Sequence, residues 1–125
     1  MVSKELQNVI NLLKQFVIPG KQPSVEDLRA SFEQMAKMVT VPKDVKCEPV
    51  DAGGVRGEWI AAPGSVGHHV VLHLHGGGYV AGSIRTHKEL ASRISRVSGA
   101  RFLVIDYRLA PEATFPAALE DAVAT

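Results

Sequence analysis

Residues 70–82, VVLHLHGGGYVAG, constrain the fold of this 125-residue chain more than any other stretch, because an apolar run stops abruptly in three consecutive glycines. Val70, Val71, Leu72 and Leu74 are β-branched or aliphatic. A short apolar run bounded by glycine-rich segments predicts a central strand buried on both faces, as in a parallel sheet. Gly76, Gly77 and Gly78 remove every Cβ where that strand ends. The backbone can turn tightly there, and a ligand can approach bare N–H groups.

A donor cluster of this kind either cradles phosphate or stabilises an oxyanion. A P-loop needs Gly-x-x-x-x-Gly-Lys-Ser/Thr, and a dinucleotide loop needs Gly-x-Gly-x-x-Gly opening a helix. Residues 76–81 fit neither, since no Lys-Ser/Thr follows and the third position after Gly78 is Ala81. An oxyanion-binding loop fits better than either of these, with a plain glycine-rich turn as the competing reading.

The remaining composition narrows the function classes. Net charge is +1, from 14 basic and 13 acidic residues mixed along the chain, which gives no electrostatic case for nucleic acid or an anionic membrane. The N-terminal stretch is broken by Lys4, Glu5, Gln7, Asn8, Asn11, Lys14 and Gln15. It therefore lacks the apolar core of a signal peptide or membrane span, and a soluble, cytoplasmic protein is expected. The lone Cys47 has no internal disulfide partner and no adjacent histidine to activate it, so it is read as an ordinary, partly buried thiol.

Leu6, Val9, Ile10, Leu13, Phe16 and Val17 recur at helical spacing, and Pro19 and Gly20 should end that helix. A second helix is predicted from Ser24, whose capping box closes with Asp27; its stripe is Val25, Leu28, Phe32, Met35, Ala36 and Val39. Both helices precede every strand, so they either pack on later elements or form a lid over the glycine loop. Residues 45–51 and 55–62 predict a hairpin turning at Gly53-Gly54, with Pro49 marking an edge strand. Trp59, in the second strand, is read as core packing.

After the glycine loop, Thr86 and Glu89 suggest a capping box and Gly99 a helix end. Residues 101–106 form the next strand, completing a βαβ unit with a parallel pair and a right-handed crossover. Tyr107 to Glu112 then form a loop at the carboxyl edge, where open α/β sheets bind ligands. Pro116 should open a final helix at its first position. His69, His73 and His75 alternate along the glycine-loop strand. No Asp, Glu or Cys stands among them, so no metal is expected, and His75 is read as bonding nearby backbone to hold the loop.

His75-Gly76-Gly77-Gly78-Tyr79, Gly82-Ser83, Asp106-Tyr107-Arg108-Leu109-Ala110-Pro111-Glu112 and the Phe115–Asp121 segment together resemble the bacterial hormone-sensitive-lipase-like (family IV) esterases, an α/β-hydrolase family, from the hairpin onward. The resemblance implies an α/β fold: the N-terminal part of an α/β-hydrolase, with its sheet incomplete. Residues 1–42 would be a helical cap segment, and 43–125 the hairpin and the βαβ unit with its HGGG loop. It implies that the N–H groups of Gly77 and Gly78 bind the oxyanion, that Gly76 shapes the turn and that His75 anchors it. It also implies that Arg108 and Glu112 are structural and tie the second loop beside the first.

One departure stands out. The family's nucleophile lies in a Gly-x-Ser-x-Gly elbow followed by Asp and His, and no serine here has glycine at both minus two and plus two. Ser83, His87 and Asp106 could be imagined as an improvised triad, but nothing sets Ser83 on a strained elbow. The expectation is an N-terminal portion cut before its nucleophile, which alone folds poorly or associates and hydrolyses no ester. The intact parent would be a serine carboxylesterase acting on small, short-acyl esters, without metal or organic cofactor, with homo-oligomerisation of the intact protein left open. The alternatives are a non-catalytic small-molecule binder on the same scaffold, as in gibberellin receptors, and a naturally truncated chain.

Overall fold

In the computed structural model, residues 2–16 and 22–125 are described. The elements run α1 (Lys4–Phe16), α2 (Val25–Lys37), β1 (Lys46–Ala52), β2 (Val55–Ala61), β3 (Val66–Leu74), α3 (Ile84–Ser98), β4 (Ala100–Ile105) and α4 (Ala117–Ala124). The strands form one mixed sheet in the order β1-β2-β4-β3.

The hairpin forms as its turn residues dictate. Gly53 and Gly54 take φ values of 65° and 89°, and the Asp51 carboxylate accepts the Gly54 N–H at 2.6 Å. β1 lies at the sheet edge, the position that Pro49 tolerates. β2 runs antiparallel to β4, while β3 and β4 are parallel and joined through α3, as a βαβ unit requires.

The central position belongs to β4. Its Phe102 and Val104 join Val45, Ile60, Ile84 and Ala91 in one core layer, and Leu103, Ile105 and Tyr107 join Ala52 and Val55 in the other. Successive strand residues face opposite sides, so a strand covered on both must be apolar at every position. Trp59 packs beside the second layer, and the Arg101 guanidinium sits 4.4 Å above its ring.

This corrects the reading of β3 as a central, doubly buried strand. Among the described residues β3 pairs only with β4, at the edge opposite β1, and Val70 remains 52% and Leu74 48% exposed. Its side chains have the composition of a covered strand. Burial depends on neighbours, and these residues supply none on its outer side.

The helix ends also refine the sequence reading. Ser24 and Asp27 form the expected reciprocal cap of α2. α3, by contrast, begins a turn earlier than the Thr86–Glu89 pairing implied. Ser83 is its N-cap, the Asp106 carboxylate accepts the Ile84 N–H at 2.6 Å, and Thr86 completes the box, so the Ile84 and Thr86 donors of the first turn are already satisfied. Glu89 instead pairs with Arg93 one turn on. Pro116 is the N-cap of α4, with Ala117 the first helical residue.

α2 packs on α3, whereas Leu6, Val9 and Leu13 of α1 are each about half exposed. Val17, Pro19 and Gly20, expected to finish the first helix, lie outside the described residues. No helix among the described residues is long and apolar enough to cross a membrane.

Candidate active site

Because β3 and β4 are parallel, the loops that follow them leave the same edge of the sheet. The two loops are directly joined there, since the Ala110 N–H donates to the Tyr79 carbonyl at 2.8 Å. The glycine loop closes on itself, with Val80 and Ala81 N–H both donating to Gly77 O at 3.2 and 3.0 Å. Gly77, Gly78 and Tyr79 all have positive φ, at 132°, 63° and 61°. For Tyr79 that left-handed geometry costs about 1–2 kcal/mol, a local strain that the surrounding bonds must hold.

Glycine at 77 is obligatory on steric grounds as well. A Cβ there would lie 2.0 Å from Ala81 O, and one on Gly82 would lie 2.2 Å from Gly76 O. Gly78 opens onto empty space. Among the described residues neither Gly77 N–H nor Gly78 N–H has a protein acceptor. Gly77 and Gly78 are both lining residues of a cleft of about 640 Å³, whose walls include Leu74, Tyr107, Phe115 and Leu119. Two unpaired amides against an apolar wall form a site that can receive a negatively polarised oxygen.

His75 sits at the base of the loop. Its ring is buried, Nδ1 donates to the Gly76 carbonyl at 3.0 Å, and it stacks on Tyr107 with centroids 4.2 Å apart. Tyr107 was not singled out in the sequence, yet its hydroxyl donates to the His75 carbonyl at 2.5 Å. It thereby holds the start of one loop from the start of the other.

The expected tie through Arg108 and Glu112 divides in two. Glu112 does link elements, but to Arg29 of α2, through two 2.7 Å hydrogen bonds. The same guanidinium donates to Val80 O at 2.8 Å and Ala110 O at 3.0 Å, so Arg29 clamps both loops under α2. The Arg29 hydrogen bonds hold the Glu112 carboxyl down at about 2. Arg108 turns the other way: its backbone N–H and Nε reach Asp121 at 2.7 and 2.9 Å, fastening the second loop to α4 rather than to the first loop. The reason is geometric, since α4 follows immediately and its buried Asp121 carboxylate needs a cation.

Ser83, His87 and Asp106 do not form a triad. The Ser83 hydroxyl accepts from Thr86 N–H and donates to Glu33, the Asp106 carboxylate caps Ile84, and no hydrogen bond joins any two of the three. His87 instead faces the glycine loop, its Nε2 accepting the Gly76 N–H at 3.3 Å. Burial, followed by neighbouring histidines, lowers the pKa of both His73 and His87. Among the described residues no three His, Cys, Asp or Glu side chains are grouped to hold a metal ion. Cys47 is half-buried, and burial pushes its thiol up.

A sequence profile of the alpha/beta hydrolase fold matches residues 71–125. An acetyl-hydrolase of Streptomyces hygroscopicus is 35% identical over 128 residues, covering 99% of this chain and 41% of that protein. Hormone-sensitive lipase of Bos taurus is 48% identical over 52 residues, 42% of this chain and 7% of the lipase. The crystal structure of an esterase from the bacterial hormone-sensitive lipase family superposes with a TM-score of 0.91 at 43% identity, over 99% of this chain and 41% of that one. The chain thus spans about two-fifths of the length of the acetyl-hydrolase and of that esterase.

Proposed function

The chain belongs to the hormone-sensitive-lipase-like esterases of the α/β-hydrolase fold, and from that membership we propose that its glycine loop is the oxyanion hole of a serine carboxylesterase. The observation that carries this reading is the pair of amides, Gly77 and Gly78, that have no acceptor among the described residues, at the carboxyl edge of the parallel strands and in residues that line an apolar cleft. In the full-length enzyme, a serine outside these 125 residues attacks the ester carbonyl with a histidine as base. The carbonyl oxygen becomes an oxyanion as the carbon turns tetrahedral, and the N–H groups of Gly77 and Gly78 donate to it. A cleft of this size with mostly apolar walls suits small, short-acyl esters. That preference agrees with the acetyl-hydrolase relative.

Residues 1–42 belong to the cap over this site on the same reading. The support is Arg29, which fastens α2 to both loops rather than merely packing it on α3.

Gly77→Ala in the full-length enzyme tests the assignment. Donors acting only in the transition state set kcat, so turnover should fall on the order of a hundredfold or more while KM stays within a few-fold. A change confined to KM would count against an oxyanion role.

A further inference from the structure

We infer that His87, in the first turn of α3, is a positioning residue for the oxyanion loop, holding the Gly76 peptide through an imidazole that is neutral and protonated on Nδ1. The inference rests on the oxyanion reading of Gly77 and Gly78. Two separate contacts select the same tautomer. Thr86 Oγ1 lies 2.8 Å from the Ser83 carbonyl, which can only accept, so the hydroxyl proton is committed there. The same oxygen lies 2.8 Å from His87 Nδ1 and must accept from it. Nε2 is left with a lone pair, and the Gly76 N–H points at it from 3.3 Å.

Protonating the ring would place a second N–H on Nε2, donor against donor, and Gly76 would lose its acceptor. The Gly76 peptide leads directly into Gly77, so its rotation moves the first oxyanion donor. The surroundings favour the neutral ring. His73 on β3 and His75 at its end lie 5.8 and 5.5 Å away, and Phe32 of α2 stacks at 6.4 Å. The carboxylates of the packed helices are engaged elsewhere: Glu33 of α2 with Arg85 and Ser83, and Glu89 of α3 with Arg93. In keeping with this, burial first and His75 second hold the His87 pKa below the ordinary histidine value.

The loop is held above the His87 pKa and released as pH falls through it, at lower pH than an exposed histidine would titrate.

In the full-length enzyme, His87→Leu is expected to lower kcat on the order of ten- to hundredfold with KM within a few-fold, because the donor is displaced rather than lost. His87→Gln, whose Oε1 restores an acceptor, should recover most of that loss. In the wild-type enzyme, nuclear magnetic resonance should show Nε2 unprotonated at neutral pH and the Gly76 amide titrating together with the His87 ring. A Gly76 amide indifferent to His87 overturns the inference, and so does equal turnover in the Leu variant and wild type, or an equal loss in the Leu and Gln variants. Full turnover in Gly77→Ala removes the oxyanion reading and the inference with it. Failure of the His87 measurements alone leaves that reading intact.

Discussion

The three adjacent glycines are not equivalent. Gly77 combines a φ of 132° with a carbonyl 2.0 Å from where its Cβ would stand, Gly78 has a left-handed φ of 63° in open space, and a Cβ on Gly76 would meet only His87 Nε2, at 3.8 Å. On the proposed oxyanion role, alanine substitutions in the full-length protein should therefore rank 77 as most damaging, 78 next and 76 mildest, as kcat from steady-state kinetics will show. The run of glycines was visible in the sequence, but this ranking was not, because it depends on where Ala81 folds back. Tyr107 was similarly hidden, since its partner lies 32 residues away. Tyr107→Phe keeps the ring stack on His75 and strands a buried carbonyl, which should lower stability by roughly 1–3 kcal/mol in denaturant unfolding.

At the scale of elements, local chemistry was enough to read α2 and its cap, the Gly53-Gly54 hairpin and the parallel β3–β4 pair. What it missed were partnerships across the chain. Arg29 looked like any polar position on an amphipathic helix, yet its guanidinium joins α2 to Val80, Ala110 and Glu112. The start of α3 was displaced because Asp106, 22 residues on, supplies a first-turn acceptor. Arg29→Met should free α2 from the loops, seen as faster amide hydrogen exchange in α2 with β2 and β4 unchanged. The clamp is also pH-dependent. Glu112 is held at about 2, below its ordinary 4.5, so its contribution is complete above 4.5 and is lost as pH falls from 4.5 toward 2. Because Glu112 is 62% exposed, the effect is modest and should shrink with added salt.

For the whole molecule, the apolar β3 edge is the deciding feature, because the composition of the strand announced burial and its neighbours in these residues do not provide it. Val70, Leu72 and Leu74 are exposed beside strand backbone that is unpaired on its outer side among the described residues, the condition under which strands recruit other chains. Residues 1–125 purified alone are expected to associate, as size-exclusion chromatography will show, and to leave a p-nitrophenyl acetate substrate uncleaved. A cooperative monomer that cleaves it would contradict both expectations. The sheet also carries its own optical reporter. The sole indole belongs to β2, and a cation borne by β4 rests on it. Emission from that one fluorophore should therefore change when these two strands separate, so sheet assembly can be timed without attaching a dye.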